Sequence, residues 1–435
     1  MKVLIVGGGA REHAIAWKVR QSPLVTQLYA APGNPGIAAL ATCIPVEASN
    51  VFELADLAEK LRIDLTIVGP ELPLTLGIVE ELEKRGLAVF GASSRAVTIE
   101  SSKVFAKEFM ARHGIPTAAS EVFQSAEGAK EYLARGQARY PLVVKADGLA
   151  GGKGVVICAD PQQAQEAVLQ MMEDRIHGNA GDRILVEEFL EGREASFFAI
   201  SDGERFVPLV TCQDYKRAFD GDVGPNTGGM GAYSPSAYVD AALSNEIAER
   251  IVAPTIAGLA AEGRTYKGVL YAGVMLTAEG PRVLEFNARF GDPETQVLMP
   301  RAAFDIVPLM ASAAAGRLDD AAVAWKGQSA ATVVLASAGY PGAHGRGMPI
   351  DGLLEAEKVE DVVVFQAGTT AGPDGRPLVA GGRVLSVTAL GRDVSAAVGR
   401  AYQAVAQLRF EGMHYRTDIG RDAIRMREAA TLPPS

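Results

Sequence analysis

The chain has 435 residues, of which 48% are hydrophobic and 22% charged, a balance that excludes wholesale disorder. At about 150 residues per domain, that length points to about three domains. The formal charge of −10 argues against a broad electrostatic grip on nucleic acid.

Short apolar runs alternate with amphipathic segments through the first hundred residues. Val3–Val6 reads as a buried strand, Arg11–Arg20 as a helix, Gln27–Ala30 as a strand, Val51–Leu61 as a helix and Leu65–Val68 as another strand. This βαβ alternation predicts a parallel sheet with helices on its faces, its ligand edge at the carboxyl ends of the strands. Gly7-Gly8-Gly9-Ala10-Arg11-Glu12 and Gly69-Pro70-Glu71 both fall on that edge. A glycine turn opening a helix favours an anion, but a plain βα turn explains it equally well. The dinucleotide fingerprint would need glycine where Glu12 stands, so nicotinamide binding is disfavoured.

From about Glu100 the pattern changes to α+β. Lys103–Arg112 reads as a helix ended by His113-Gly114-Ile115-Pro116. Leu142–Lys145, Val155–Cys158 and Ile184–Glu187 read as strands, with a helix over Gln162–Met172. Between the first two strands lies Asp147-Gly148-Leu149-Ala150-Gly151-Gly152-Lys153-Gly154. Its glycines cost backbone entropy that an ordinary hairpin would not spend, and they suit a mobile loop closing over phosphates. Lys145, at the inner end of an apolar strand, needs an anionic partner, for which phosphate is the obvious candidate. Glu187 and Glu188 end a strand, with Glu191 and Glu194 beyond; such a run is most often a solvated face. Gln213–Arg217 and Gly224–Gly231 are polar enough to be a surface loop pair.

Val269–Leu276 and Val283–Asn287 are further strands. On the second, period two puts Glu285 and Asn287 on one face, a pair of oxygen donors suited to Mg²⁺ together with nucleotide phosphates. Arg289 continues that side if the strand persists. Asp292 and Glu294 add acids at once; an edge strand with a polar outer face is the plainer alternative. Beyond Gln328 a third unit carries strands at Thr332–Ala336, Val362–Ala367 and Arg383–Thr388. Cys43, Cys158 and Cys212 form no CxxC pair, so neither disulfides nor a cysteine zinc site are expected. No run reaches the roughly 20 apolar residues of a membrane span, and a soluble cytoplasmic protein is expected.

These segments together resemble the glycinamide ribonucleotide synthetase family of the ATP-grasp superfamily, over Val3 to about Ile424. The resemblance rests on Gly9-Ala-Arg-Glu-His13, Val68-Gly-Pro-Glu71, Lys145–Gly154, Gln213-Asp-Tyr-Lys-Arg217, Gly224–Pro235 and Glu285–Gln296. The glycine loop alone would indicate only ATP-grasp; the last two segments are specific to this synthetase. Ala10 and Ser101 stand where the family usually has glycine. The fold implied is a multidomain α/β and α+β chain. It has an N-terminal parallel-sheet domain (1–101), an ATP-grasp domain (102–326, with a lid at about 120–190) and a C-terminal mixed α/β domain (327–435).

The activity implied is ATP-dependent ligation of glycine to 5-phosphoribosylamine through an acyl phosphate, with Mg²⁺ or Mn²⁺ as cofactor. Small molecules are the only partners implied, and the chain is implied to be a monomer. For ATP the resemblance implies Lys103, Lys145, the loop Gly148, Gly151, Gly152, Lys153 and Gly154, then Glu187, Glu188, Phe189 and Leu190 at adenine and Glu194 at ribose. It implies Glu285 and Asn287 at the metal, Arg289 at glycine, and Lys145, Arg289 and Asp214 as catalytic. For the substrates it adds Gly9, Glu12, Glu71, Asp214, Lys216, Asn226, Thr227, Gly228, Gly229, Met230 and Asp292. Another ATP-grasp carboxylate–amine ligase would share the loop and Glu285/Asn287 but lack the Asn226–Pro235 segment. A non-enzymatic dinucleotide-binding or regulatory module is the remaining alternative, and Glu12 argues against it.

Overall fold

The computed structural model describes residues 1–136, 138–149, 154–318 and 323–431. Lys2–Gly7 (β1), Gln27–Pro32 (β2), Thr42–Cys43 (β3), Leu65–Val68 (β4) and Val89–Phe90 (β5) form a parallel sheet in the order β3-β2-β1-β4-β5. Both faces are covered, so β1 is a continuous apolar run, with Val3, Leu4, Ile5 and Val6 all at 0% exposure. The helix Ala10–Val19 follows the glycine turn directly.

The lid is a four-stranded antiparallel sheet of Ser120–Phe123 (β6), Leu142–Ala146 (β7), Val155–Cys158 (β8) and Ile184–Glu188 (β9), in the order β6-β9-β7-β8. Leu142, Val144, Cys158, Ile184 and Val186 pack with Ala164 and Val168 into a core separate from the rest of the molecule. The helix expected over Gln162–Met172 is α-helical only at Pro161–Val168. Leu169–Glu173 continues as a wider π turn that carries Met171 into the lid core.

Next come Arg193–Asp202 (β10), Phe206–Pro208 (β11), Gln213–Asp214 (β12), Arg217–Phe219 (β13), Val223–Asn226 (β14), Gly231–Ser234 (β15), Lys267–Thr277 (β16) and Gly280–Asn287 (β17). An antiparallel body sheet runs β11-β10-β16-β17. The polar segments read as surface loops are ordered: β13 and β14 pair as a hairpin, and β12 pairs with β15. They are held from the far end of the chain, where Ser329–Ala336 (β18), Val362–Gln366 (β19), Thr369–Ala371 (β20), Pro377–Val379 (β21) and Arg383–Gly391 (β22) follow. The C-terminal sheet runs β12-β15-β18-β22-β19 and so takes two strands from mid-chain.

One apolar core links Val3, Ile5 and Leu28 to Phe198, Ile200 and Val269, and on to Val297, Leu298 and Phe365. The parallel sheet, the body sheet and part of the C-terminal unit therefore share an interior that the lid does not enter. All three cysteines are free. No helix among the described residues is long and apolar enough to cross a membrane.

Candidate functional site

At the N-terminal turn, the buried Glu12 carboxylate accepts from Gly9 N at 2.7 Å and from Arg11 Nε at 2.6 Å. Its atoms lie where side chains of Gly7 and Gly69 would be: a Cβ on Gly69 would stand 2.1 Å from Glu12 Oε1. Glycine is required at both places because the protein's own carboxylate fills the edge between β1 and β4. That is the position a dinucleotide pyrophosphate takes in such sheets, so a dinucleotide is excluded by an occupying negative charge.

The lid meets the body at Ser102. Its Oγ accepts from Phe105 N at 3.1 Å, capping the helix Lys103–Arg112, and donates to Asp147 Oδ1 at 2.9 Å. Asp147 also accepts from Val104 N at 3.1 Å. The first residue of the glycine loop is thus pinned to a helix N-terminus, and Lys103 Nζ reaches Gly148 O at 3.0 Å. On the neighbouring strands, Lys145 Nζ lies 2.9 Å and Lys107 Nζ 3.2 Å from Glu187 Oε2. Lys145 also donates to Leu284 O on β17 at 3.2 Å. Burial, opposed by Glu187, lowers the Lys107 ammonium to about 8. Among the described residues, Glu187 Oε1 is buried without a hydrogen-bond partner.

On β17, Phe286 is buried while Glu285 and Asn287 are half-exposed on the opposite face, as the period of two predicts. Burial pushes the Glu285 carboxyl up, but Lys216, Lys145, Lys103 and Arg289 together carry it below the ordinary range. A carboxylate held ionised beside an amide oxygen is a hard-oxygen donor pair that fits a divalent cation. Among the described residues, no group of three or more His, Cys, Asp or Glu side chains converges as a metal cage. The cation would therefore take its remaining ligands from phosphates and water.

The strand ends at Asn287, yet Arg289 turns back to the same side because four groups engage its guanidinium. Nη2 donates to Asn287 Oδ1 at 3.0 Å and lies 3.0 Å from Glu100 Oε1, Nε donates to Glu71 Oε2 at 3.1 Å, and Nη1 donates to Phe290 O at 3.3 Å. Burial raises the Glu100 carboxyl against the pull of Arg289. At Glu71 burial is outweighed by Arg289 and Arg11, and the carboxyl falls.

The polar mid-chain segment forms the third side. Lys216 Nζ lies 2.8 Å from Glu194 Oε2 and 3.7 Å from Glu285 Oε1. Burial opposes its charge, but Glu194 and Asp214 hold the ammonium well above the ordinary lysine range. Asp214 is pushed up to about 7, by burial first, against the pull of Lys216 and with Glu294 adding to the rise. Thr227 donates through Oγ1 to Lys216 O at 2.8 Å and accepts from Gly229 N at 2.9 Å, which folds Asn226–Met230 back onto the link between β12 and β13 that bears Lys216. Arg383 of β22 closes this side, donating to Gly228 O and Asp292 O at 2.7 Å each and pairing with Asp292 Oδ2 at 3.1 Å. Asp292 lies beside Gly9, where a Cβ would be 3.8 Å from its Oδ2.

Lys103, Lys145, Gly148, Glu187, Glu194, Asp214, Lys216, Thr227–Gly229, Glu285, Asn287, Arg289, Glu71, Asp292 and Gly9 thus belong to one connected set of charges and hydrogen bonds. Glu188 faces outward, paired with Arg282 at 2.7 Å. Leu190 packs with Ala118, Met275 and Leu284 in a small apolar cluster, and Met230 is buried. Gly151, Gly152 and Lys153 lie outside the described residues. Sequence reasoning missed Asp147's anchoring role, Glu100, Lys107 and Arg383. Asp147 stood inside the quoted motif, but Arg383 opens an ordinary strand and carried no signal.

Three family models match in succession: the phosphoribosylglycinamide synthetase N domain over residues 1–100, its ATP-grasp (A) domain over 101–295 and its C domain over 330–422. The phosphoribosylamine–glycine ligase of Caulobacter vibrioides is 50% identical over 98% of this chain and 99% of its own length. That of Salmonella typhi is 48% identical with the same coverage. A crystal structure of phosphoribosylamine–glycine ligase from Thermotoga maritima superposes with a TM-score of 0.84 at 33% identity, over 96% of this chain and 100% of the other. A biotin carboxylase from Campylobacter jejuni, 15% identical, shares the fold with a TM-score of 0.73, over 95% of this chain and 92% of its own.

Proposed function

The chain belongs to the phosphoribosylglycinamide synthetase family, and from that premise we propose that it joins glycine to 5-phosphoribosylamine, consuming ATP and releasing ADP and phosphate, in purine biosynthesis. The observation that supports this most is Lys216, which links Glu194, Glu285 and the Asn226–Met230 segment. It draws a nucleotide side, a metal side and an acceptor side into one site.

ATP lies between lid and body. Its adenine rests against the apolar cluster of Leu190 and Met275, beside Glu187–Leu190, with Glu187 Oε1 as an acceptor and Glu194 at the ribose. Lys103, Lys145 and the Gly148–Gly154 loop hold its phosphates. Glu285 and Asn287 would hold Mg²⁺ or Mn²⁺, which when bound neutralises charge on those phosphates. Arg289 receives the glycine carboxylate, which competes there with Glu71 and Glu100. Gly9, Glu12, Asp292, Lys216 and the Asn226–Met230 loop border the acceptor, and Asp214 takes the proton from its amine. The working unit is a monomer.

A carboxylate oxygen is a poor leaving group, so it must first be phosphorylated. Glycine's carboxylate attacks the γ-phosphorus, ADP leaves, and the amine then displaces phosphate from the glycyl phosphate. Positioning and fixed charge supply the catalysis. The test is turnover by the purified chain with ATP, divalent metal, glycine and phosphoribosylamine each omitted in turn. Product is expected only from the full set; ligation of another amine with phosphoribosylamine left unused would overturn the reading.

A further inference from the structure

On the acceptor side of the candidate site, three tyrosine hydroxyls converge on one carboxylate. Tyr215 OH donates to Asp422 Oδ1, while Tyr238 OH donates to Oδ2 at 2.9 Å and Tyr233 OH to the same oxygen at 3.2 Å. Asp422 sits in the first turn of the C-terminal helix Arg421–Thr431. Tyr215 lies between Asp214 and Lys216, the two charged groups of the acceptor side.

The surroundings hold this cluster together. Tyr215 OH also accepts from Gly420 N at 2.8 Å, and the Arg416 guanidinium stands over the Tyr215 ring at 4.9 Å. Arg416, fully buried, pairs with Asp418 and with Asp222 of the hairpin, each at 2.7 Å. The Tyr215 backbone is tied to the acceptor loop, donating to Gly231 O at 3.0 Å and accepting from Met230 N at 2.8 Å. Tyr238 extends the cluster to the nucleotide side, because Arg193, next to Glu194, lies 5.4 Å over its ring. Burial and then the Asp422 charge push all three phenols up, Tyr238 to about 12, so all remain protonated donors at neutral pH.

We propose that Asp422 is a positioning residue for the acceptor half of the site: by anchoring Tyr215 it fixes where the flanking Asp214 and Lys216 meet phosphoribosylamine. Asp422 touches no substrate; it acts through Tyr215. This rests on the function proposed above, and the two are tested separately, since turnover by the parent chain tests that function while variant-to-parent ratios test Asp422.

Removing the acceptor shared by two buried donors and one half-buried donor costs most where the geometry it sets is used. Asp422→Ala should lower kcat/KM for phosphoribosylamine at least about fivefold more than kcat/KM for ATP, as loss of charged hydrogen bonds allows. Tyr215→Phe, which cuts the same link from the other side, should give the same selective loss. Added to Asp422→Ala, it should contribute little more, because the two act as one unit. Asp422→Asn keeps shape and one acceptor oxygen and should rescue part of the loss. Should Asp422→Ala fail to fold, Tyr215→Phe carries the test by the same criterion. A smaller loss, or one falling equally on ATP, glycine and phosphoribosylamine, would overturn the proposal.

Discussion

Lys145 already has an anion of its own. The sequence predicts that a lysine ending an apolar strand needs a negative partner and suggests phosphate; in the folded chain Glu187 supplies it at 2.9 Å and shares its oxygen with Lys107. In the function proposed, a nucleotide phosphate would join a lysine that is already paired and preorganised, which favours rate over bare affinity. Lys145→Met keeps the stem and removes that charge, and should cost roughly 10²–10³ in kcat; steady-state kinetics check this, and a loss below about tenfold removes Lys145 from the phosphates. Asp214 offers a test by pH. Its carboxyl is pushed up to about 7, chiefly by burial, so it is a neutral acid below that pH and a base above it. kcat/KM for phosphoribosylamine should fall about tenfold per unit on acidifying below about 7, and Asp214→Asn should flatten that limb. A raised carboxyl binds its proton more tightly folded than unfolded, so its stabilising contribution is lost as pH rises through 7. The melting temperature of Asp214→Asn relative to the parent should accordingly increase between pH 5 and pH 8. A difference independent of pH would return Asp214 to the ordinary carboxylate range.

Elements were legible where one period dominated. Val3–Val6, Val51–Leu61, Lys103–Arg112 and Val283–Asn287 all form the element their spacing implies, and the pairing of Glu285 with Asn287 on one face followed from that alone. The strand Arg193–Asp202 was hidden because the acids before it read as a solvated face, although Ala195 and Phe197–Ile200 are its buried part. Gln213–Asp214 and Gly231–Ser234 were hidden for a different reason. Gly231–Ser234 pairs with β18, about a hundred residues away, and Gln213–Asp214 joins the sheet only through Gly231–Ser234; no local signal announces a strand whose burial comes from so distant a segment. Ser102 shows how much rests on one element's end. It caps the helix Lys103–Arg112 and, beside Val104 N, ties it to Asp147, so one hydroxyl joins the helix that carries Lys103 to the start of the glycine loop. Ser102→Ala should cost about 1 kcal/mol of stability, the usual worth of such a cap, and should raise the KM for ATP severalfold more than that for glycine. Denaturant unfolding and steady-state kinetics check the two halves; a stability loss with an unchanged KM for ATP would leave Ser102 a cap only.

At the scale of the whole molecule the candidate site is shared between a lid with its own core and three parts that pack on a common one. The lid brings Lys145 and Glu187, the body sheet brings Glu285 and Asn287, the parallel sheet brings Glu71, and the C-terminal unit brings Arg383. Together they frame a candidate site whose lid is packed on its own interior. Such a site suits a reaction in which a phosphoryl group is passed while water is kept out. In the reaction proposed, with the glycine carboxylate at Arg289, one of its oxygens forms a bond to the γ-phosphorus, and the bond from that phosphorus to the ADP oxygen breaks. In the same proposal the amine of phosphoribosylamine next bonds to the carbonyl carbon, its proton passes to Asp214, and the carbon–oxygen bond breaks. The departing phosphate carries the oxygen that came from glycine. Glycine labelled with heavy oxygen in its carboxylate should therefore deliver one labelled atom to each phosphate formed, read by the isotope shift of its phosphorus resonance. Arg289→Ala should raise the KM for glycine selectively and leave the label ratio at one, because the variant weakens binding without changing which bonds break. If the label stays wholly in the amide and in unused glycine, no acyl phosphate forms, and the phosphate must leave ATP by another route.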